Sequence, residues 1–187
     1  MSTRSLTVFA DSEAVATGDS DSAISTVKAF AAKGDPRTLL VFDDVTGEQV
    51  DLDLRDNLPV AEATEATERR GPGRPRLGVV GREVTLLPRH WEWLNAQPGG
   101  ASVALRKLVE RASRDNAQAD RARRSREAAF RFMTVAAGNE RGFEEACRAL
   151  FARDREAFES QVTGWPRDVA AYTKVLADGA FVGVDHD

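Results

Sequence analysis

A chain of 187 residues with 42% hydrophobic residues can bury one core, or two small ones joined by a linker. No apolar run approaches the roughly 18 residues of a membrane span, so we expect no membrane segment. Asp11 and Glu13 interrupt the N-terminal residues, which therefore lack the apolar core of a signal peptide. The single cysteine, Cys147, cannot form an internal disulfide. These features favour a cytoplasmic location.

The net charge of −4 conceals a strong segregation of charge along the chain. Residues 1–65 carry 5 basic against 13 acidic side chains, residues 66–131 carry 15 against 7, and residues 132–187 carry 6 against 10. The central block is nearly all arginine, and Lys107 is its only lysine. Such a block indicates either a surface for an acidic partner, or a patch that the acidic blocks of the same molecule neutralise.

The first 58 residues predict an acidic α+β unit with the order ββαββ. A helical pattern after the second strand ends at Gly34, a residue that favours the left-handed position after a helix. The alternating carboxylates Asp51 and Asp53 fit the solvated face of a strand better than a metal site. The four apolar or alternating runs that predict strands lie at 5–10, 13–18, 38–44 and 45–54.

Residues 59–77 predict a linker or arm, because Ala, Glu and Thr pass into Pro, Gly and Arg without periodicity. Its sequence "GRPR" (Gly73–Arg76) resembles the AT-hook, although Pro72 stands where that motif usually has a further arginine. The resemblance implies that Arg70, Arg74 and Arg76 bind phosphates or an A·T-rich minor groove. A solvated hinge remains the alternative interpretation.

Residues 78–187 predict a mainly helical domain opened by a short strand. The strand is "REVTLL" (82–87), and Pro88 then suits the first turn of a short helix. "PGG" breaks this helix, and an amphipathic helix follows at 101–113. Apolar stripes at helical spacing predict further core-forming helices up to about residue 177.

The stretches "REVTLLPRHWEWL" and "GGASVALRKLVERA" resemble the ribbon-helix-helix family of DNA-binding proteins. The resemblance implies a homodimer in which two chains pair their strands into a ribbon that enters the major groove of DNA. By position, Arg82 and Thr85 would be ribbon residues, and the helix start near Ser102 would face a phosphate. The alternative is a helical hairpin that packs on the C-terminal helices. Further candidates to neutralise phosphates are Arg89, Arg106 and Lys107.

A wider resemblance is carried by "GPGRPRLGVVGREVTLLPRHWEWLNAQPGGASVALRKLVE" and "FRFMTVAAGNERGFEEACRALFARDREAFESQVTGWPRD". These stretches, and the ββαββ front, are similar to an uncharacterised bacterial family called domain of unknown function 2239. The resemblance implies a soluble bacterial protein and supplies no established activity.

The residue types that support catalysis or metal binding do not form a recognisable motif. His90 and His186 lack Cys or His partners at metal-binding spacing, and no phosphate-binding loop or nucleophile motif follows a strand. We therefore expect no enzyme activity, cofactor, metal or small-molecule substrate.

The leading hypothesis from the sequence is a DNA-binding protein, a transcriptional regulator or nucleoid-associated protein, that acts as a homodimer in the bacterial nucleoid, with A·T-rich DNA as a candidate target. The alternative is a non-enzymatic interaction or oligomerisation module, in which the basic block docks on the acidic surface of a partner.

Overall fold

The computed structural model describes residues 4–54, 80 and 82–182. The chain divides into two compact units: residues 1–54 together with 115–187, and residues 55–114. The first unit is therefore built from two separate stretches of chain. This division differs from the three sequence-predicted segments, which are 1–58, 59–77 and 78–187.

The described residues contain three strands and seven α-helices, which confirms the predicted α+β class. None of these helices is both long enough and apolar enough to cross a membrane. The elements are β1 (Leu6–Ala10), β2 (Glu13–Gly18), α1 (Ser20–Lys33), β3 (Leu39–Asp43), α2 (Pro88–Asn95), α3 (Gly100–Asp115), α4 (Ala117–Ala136), α5 (Phe143–Ala152), α6 (Arg155–Val162) and α7 (Arg167–Ala177), and a short 3-10 turn follows at Asp178–Phe181.

The three strands form one antiparallel sheet in the order β2-β1-β3. α1 begins at Asp19, whose side chain accepts a hydrogen bond from the Ser22 N–H, and ends at Gly34 in the left-handed conformation. One face of the sheet buries Leu6 and Val8 in a small core that includes Ala23 of α1. This part of the chain folds as its capping residues and periodicity predict.

The opposite face of the sheet contributes to the main core of this unit. Phe9 and Phe42 are almost fully buried in the same cluster as residues of α4, α5, α6 and α7. Their rings lie in edge-on or tilted contact with each other and with Phe132 of α4. The Phe9 and Phe132 rings also contact Tyr172 of α7, and the ring centroids of all these pairs are 4.7–5.9 Å apart. The acidic front and the C-terminal helices thus share one hydrophobic core.

Two predicted strands are not formed as such. In place of the strand predicted at 45–54, the structure has an isolated bridge between Phe42 and Gln49, with hydrogen bonds from the Asp43 N–H to the Glu48 carbonyl and from the Val50 N–H to the Val41 carbonyl. Residues 82–87 are neither strand nor helix, and their N–H groups donate no hydrogen bond to a described residue. A lone strand needs a neighbour to satisfy its backbone, and this stretch has none within the described chain.

The turn after β3 packs against α4 with no room for a side chain at Gly47. A Cβ atom there would lie 2.0 Å from the Ala128 carbonyl oxygen, and the backbone φ is +66°. Arg131 of α4 holds the same turn, because it donates to the Thr46 carbonyl oxygen and forms an ion pair with Glu48. The backbone of the turn after β3 is therefore packed directly against the backbone of α4.

We expect Gly47→Ala to lower the free energy of unfolding by about 2–4 kcal/mol, because it adds a steric clash to the cost of a positive φ. Gly34→Ala is the matched control, since Gly34 has nearly the same φ, +65°, and no heavy atom within 4 Å of an added Cβ. The control should cost only about 1 kcal/mol in urea unfolding. Equal losses would show that the close approach to α4 does not constrain the fold.

Candidate nucleic-acid interface

The unit of residues 55–114 holds the candidate DNA contacts that the structure describes. α2 starts at Pro88 and the chain turns at Gly99 and Gly100, which have positive φ values of 89° and 73°. A Cβ at Gly99 would come within 3.1 Å of the Val103 side chain, so the turn into α3 depends on glycine. Of the predicted strand, short helix, turn and second helix, the structure has the two helices and the turn but not the strand.

α3 presents basic side chains that are open to solvent. Ser102 lies in its first turn, and the Nε of Arg106 donates to the Ser102 carbonyl oxygen at 3.1 Å, which places these two residues on one face. Lys107 is exposed beside them. The first turn of α3 contains no acidic residue, so no carboxylate of that turn neutralises its positive dipole end, although the Gly100 N–H donates to the Gln97 carbonyl oxygen.

The remaining predicted contacts precede α3. Arg82 and Thr85 are exposed on the segment before α2, and Arg89 is exposed on α2 itself, with its Nε 3.5 Å from Nε2 of His90. The structure brings Ser102 and Arg106 together. The three arginines of the predicted arm, Arg70, Arg74 and Arg76, lie outside the described residues.

A second polar arrangement, in the unit of residues 1–54 and 115–187, was missed by the sequence patterns. The Asp44 carboxylate accepts hydrogen bonds from three hydroxyl groups: Ser5 at 2.5 Å, Thr7 at 2.7 Å and Tyr172 at 2.7 Å. Asp44 and Tyr172 are 128 residues apart, so no local spacing could have paired them. The only signal available was an acidic doublet directly after a buried strand.

Asp43, next to Asp44, is buried and fixes the end of β3. Burial alone would raise the pKa of this carboxyl, but hydrogen bonds from Arg4 and from the backbone N–H groups of Thr46 and Val45 outweigh it. The pKa of Asp43 is therefore lowered. Its charge is compensated within the fold, which is typical of a structural carboxylate.

Residues with catalytic or metal-binding chemistry are dispersed. His90 is exposed, and Cys147 is half-buried against the main core, where burial and the nearby Glu144 charge raise the pKa of its thiol. A raised pKa disfavours the reactive thiolate. Within residues 4–54, 80 and 82–182, no three His, Cys, Asp or Glu side chains are grouped so that they could hold a metal ion.

Comparison with known proteins identifies the family to which the chain belongs. Residues 5–177 match the model of a bacterial family described as "Uncharacterized protein conserved in bacteria (DUF2239)". The chain belongs to this family, as its sequence resemblance predicted. No curated protein and no solved structure matched the chain.

Tyr172 is the only tyrosine of the chain, so its ionisation can be followed alone. Burial, and then the hydrogen bond to Asp44, raise its pKa well above the usual value of about 10. We expect the tyrosinate absorbance near 295 nm to stay absent until alkali unfolds the protein. Because the native pKa is raised, this group stabilises the fold below about pH 10, and the contribution is lost as the pH rises further.

Asp44→Asn should move the appearance of tyrosinate to lower pH, since it removes the negative charge beside the phenol. Asp35→Asn is the control, because Asp35 pairs with Arg37 at the surface. A native tyrosine that titrates near pH 10 in the unchanged protein would contradict the contact with Asp44.

Proposed function

We propose that this protein binds DNA through residues 82–114, as a bacterial transcriptional regulator or nucleoid-associated protein rather than an enzyme. The observation that carries the proposal is that every predicted contact that the structure describes is exposed to solvent. None of the basic ones forms an ion pair with a described acid, so they can reach phosphates without breaking a salt bridge to the described part of the chain. These contacts are Arg82, Thr85, Arg89, Ser102, Arg106 and Lys107.

The start of α3 supports a phosphate contact at this surface. The acid-free first turn offers N–H donors, and Arg106 lies one turn further along the same face. Phosphate contacts of this kind set affinity and orientation, whereas Arg82 and Thr85 are the proposed base-reading residues. Arg70, Arg74 and Arg76 enter the proposal on their sequence alone, as an arm for phosphates or an A·T-rich minor groove.

Fluorescence anisotropy of labelled A·T-rich and G·C-rich duplexes at several salt concentrations tests the proposal. We expect Arg106→Ala with Lys107→Ala to weaken binding to both duplexes and to reduce the salt slope by about one unit per lost phosphate contact. Changing Arg70, Arg74 and Arg76 to Ala should remove any preference for the A·T-rich duplex.

Arg148→Ala is the matched control, because Arg148 is an exposed arginine that pairs with Glu144 and Glu145 on α5, in the other unit. It should leave the affinity unchanged. If the unchanged protein binds neither duplex at low salt, the proposal is wrong. If Arg148→Ala and the α3 variant lose equal affinity for the duplexes, the loss is a nonspecific effect of net charge and not of a contact on α3.

We further propose that the DNA-binding form is a homodimer. Residues 82–87 leave their backbone N–H groups without described partners, and a second copy in antiparallel register would supply them. α3 also exposes Leu108 and Val109, at 46% and 65% of their surface, although it is an amphipathic helix. Apolar groups on such a helix gain stability when a partner helix covers them.

Leu108→Gln with Val109→Gln should shift the protein towards the monomer in sedimentation equilibrium, because the neutral change removes apolar contact without altering charge. Val135→Gln is the control, since Val135 is exposed to a similar extent, 45%, on α4. If the unchanged protein sediments as a monomer at all concentrations, the proposed dimer is wrong.

A protein-interaction module is the second candidate, favoured by the exposed Trp93 on α2 together with the apolar side chains of α3. In that case the basic block would dock on an acidic protein surface. Binding of the module to a protein would show a weaker dependence on salt than binding to a duplex, where each released counterion contributes to the slope.

A further inference from the structure

A groove in the unit of residues 1–54 and 115–187 combines opposite charges with apolar walls. Its volume is about 390 Å³, within the range of small-molecule sites. The turn after β3, α4 and α7 form it, with Val45, Ala128, Val175 and Leu176 as the apolar lining. Its polar lining is Asp44, Arg121, Arg124 and Ser125.

Arg121 and Arg124 differ from Arg123 and Arg131 of the same helix, and they share with Arg126 the lack of an ion pair to a described acid. Arg123 pairs with Asp120 at 2.9 Å, and Arg131 pairs with Glu48 and Glu127. No Asp or Glu of the described residues forms an ion pair with the two arginines that line the groove. They are three residues apart on one helix, an arrangement of like charges that costs some stability unless an anion lies between them.

The guanidinium of Arg124 is partly oriented before any ligand arrives. Its Nε donates to the Asp120 carbonyl oxygen at 3.2 Å, which leaves both terminal NH₂ groups available. These groups suit the oxygens of a phosphate, which arginine can grip with two parallel hydrogen bonds.

The wall beside Arg121 is held in place by close packing. Ser125 donates from its Oγ to the Leu176 carbonyl oxygen and so ties α4 to the end of α7. Gly179 then allows the 3-10 turn to approach α4, since a Cβ there would lie 3.2 Å from Ser125 Oγ and 3.7 Å from Arg121 Cγ. The groove therefore needs little rearrangement to hold a ligand.

Asp44 places a second requirement on the ligand. Its Oδ1 accepts hydrogen bonds from Thr7 and Tyr172, whereas its Oδ2 accepts one from Ser5. A carboxylate oxygen can accept two hydrogen bonds, so Oδ2 has room for one more donor. A bare phosphate would be repelled by this carboxylate, but a phosphate ester with a hydroxyl or amino group matches both the arginines and the carboxylate of the lining.

We propose that this groove binds a small organic phosphate that also carries a hydroxyl or amino donor, as nucleoside monophosphates and sugar phosphates do. Arg121 and Arg124 hold the phosphate, and Asp44 accepts the donor group. The apolar lining covers the rest of the ligand. This site lies outside the proposed DNA contacts and does not rest on them; its ligand is of a kind that no sequence pattern predicted.

Isothermal titration calorimetry of the full chain tests the site with adenosine 5′-monophosphate, cytidine 5′-monophosphate and ribose 5-phosphate as probes. We expect at least one of them to bind at least about tenfold more tightly than inorganic phosphate and than adenosine, because each of these lacks one of the two recognised groups. Arg121→Gln and Arg124→Gln should each weaken that binding about tenfold.

Arg123→Gln is the matched control, since Arg123 lies on the same helix but pairs with Asp120 and does not line the groove. It should bind as the unchanged protein does, and a thermal melt of each variant confirms folding. The proposal is overturned if none of the three probes binds at millimolar concentration. It is equally overturned if inorganic phosphate binds as tightly as the esters, or if Arg123→Gln weakens binding as much as the groove variants.

The same variants in the duplex anisotropy assay keep this site separate from the proposed function. Unchanged duplex binding by Arg121→Gln and Arg124→Gln, together with lost phosphate-ester binding, supports a distinct ligand site. Lost duplex binding without any ester binding would assign the two arginines to DNA and overturn the ligand site.

Discussion

The contact between the sheet and α7 is the constraint on which the larger unit depends. Phe9 and Phe42 place two rings of the sheet against Phe132, and Phe9 and Phe132 both contact Tyr172. The Tyr172 hydroxyl then donates to Asp44 at the end of β3. Tyr172 thereby contributes ring contacts to the core and a hydrogen bond at the edge of the core. The turn at Gly47, the groove beside Asp44 and the positions of Arg121 and Arg124 all follow from how this sheet lies on α4 and α7.

The sequence predicted the local structure well because local signals determine it. Gly34 ends α1, Pro88 begins α2, and the glycines before Ser102 separate α2 from α3, as capping and turn preferences require. The strand expected at 82–87 depends on a neighbouring strand, which the described part of the chain does not provide. The Asp44–Tyr172 contact joins residues 128 positions apart, and the shared core likewise joins residues from distant parts of the chain. Periodicity carries no information about such pairs.

The candidate sites differ in how far the sequence could reveal them. Arg82, Arg106 and Lys107 were found because basic residues cluster in the sequence itself and remain exposed in the structure. The sequence did not reveal the groove, since Arg121 and Arg124 look like an ordinary charged helix face until the structure shows that Arg123 has an ion pair with a described acid and that they do not. Two basic regions with different surroundings therefore serve different ligands in our proposals: an open helix start for a polymer, and a groove with a carboxylate for a small molecule.

The discontinuous unit has a consequence for biosynthesis. The ribosome releases Asp44 128 residues before Tyr172, which at typical bacterial elongation rates is a delay on the order of ten seconds. Until α4 emerges, the aromatic face of the nascent sheet has none of the C-terminal helices to cover it, and residues 55–114 are synthesised before α4. Chaperones that recognise exposed aromatic side chains would meet this chain at its amino-terminal third, and a ribosome stalled before α4 would leave that surface uncovered.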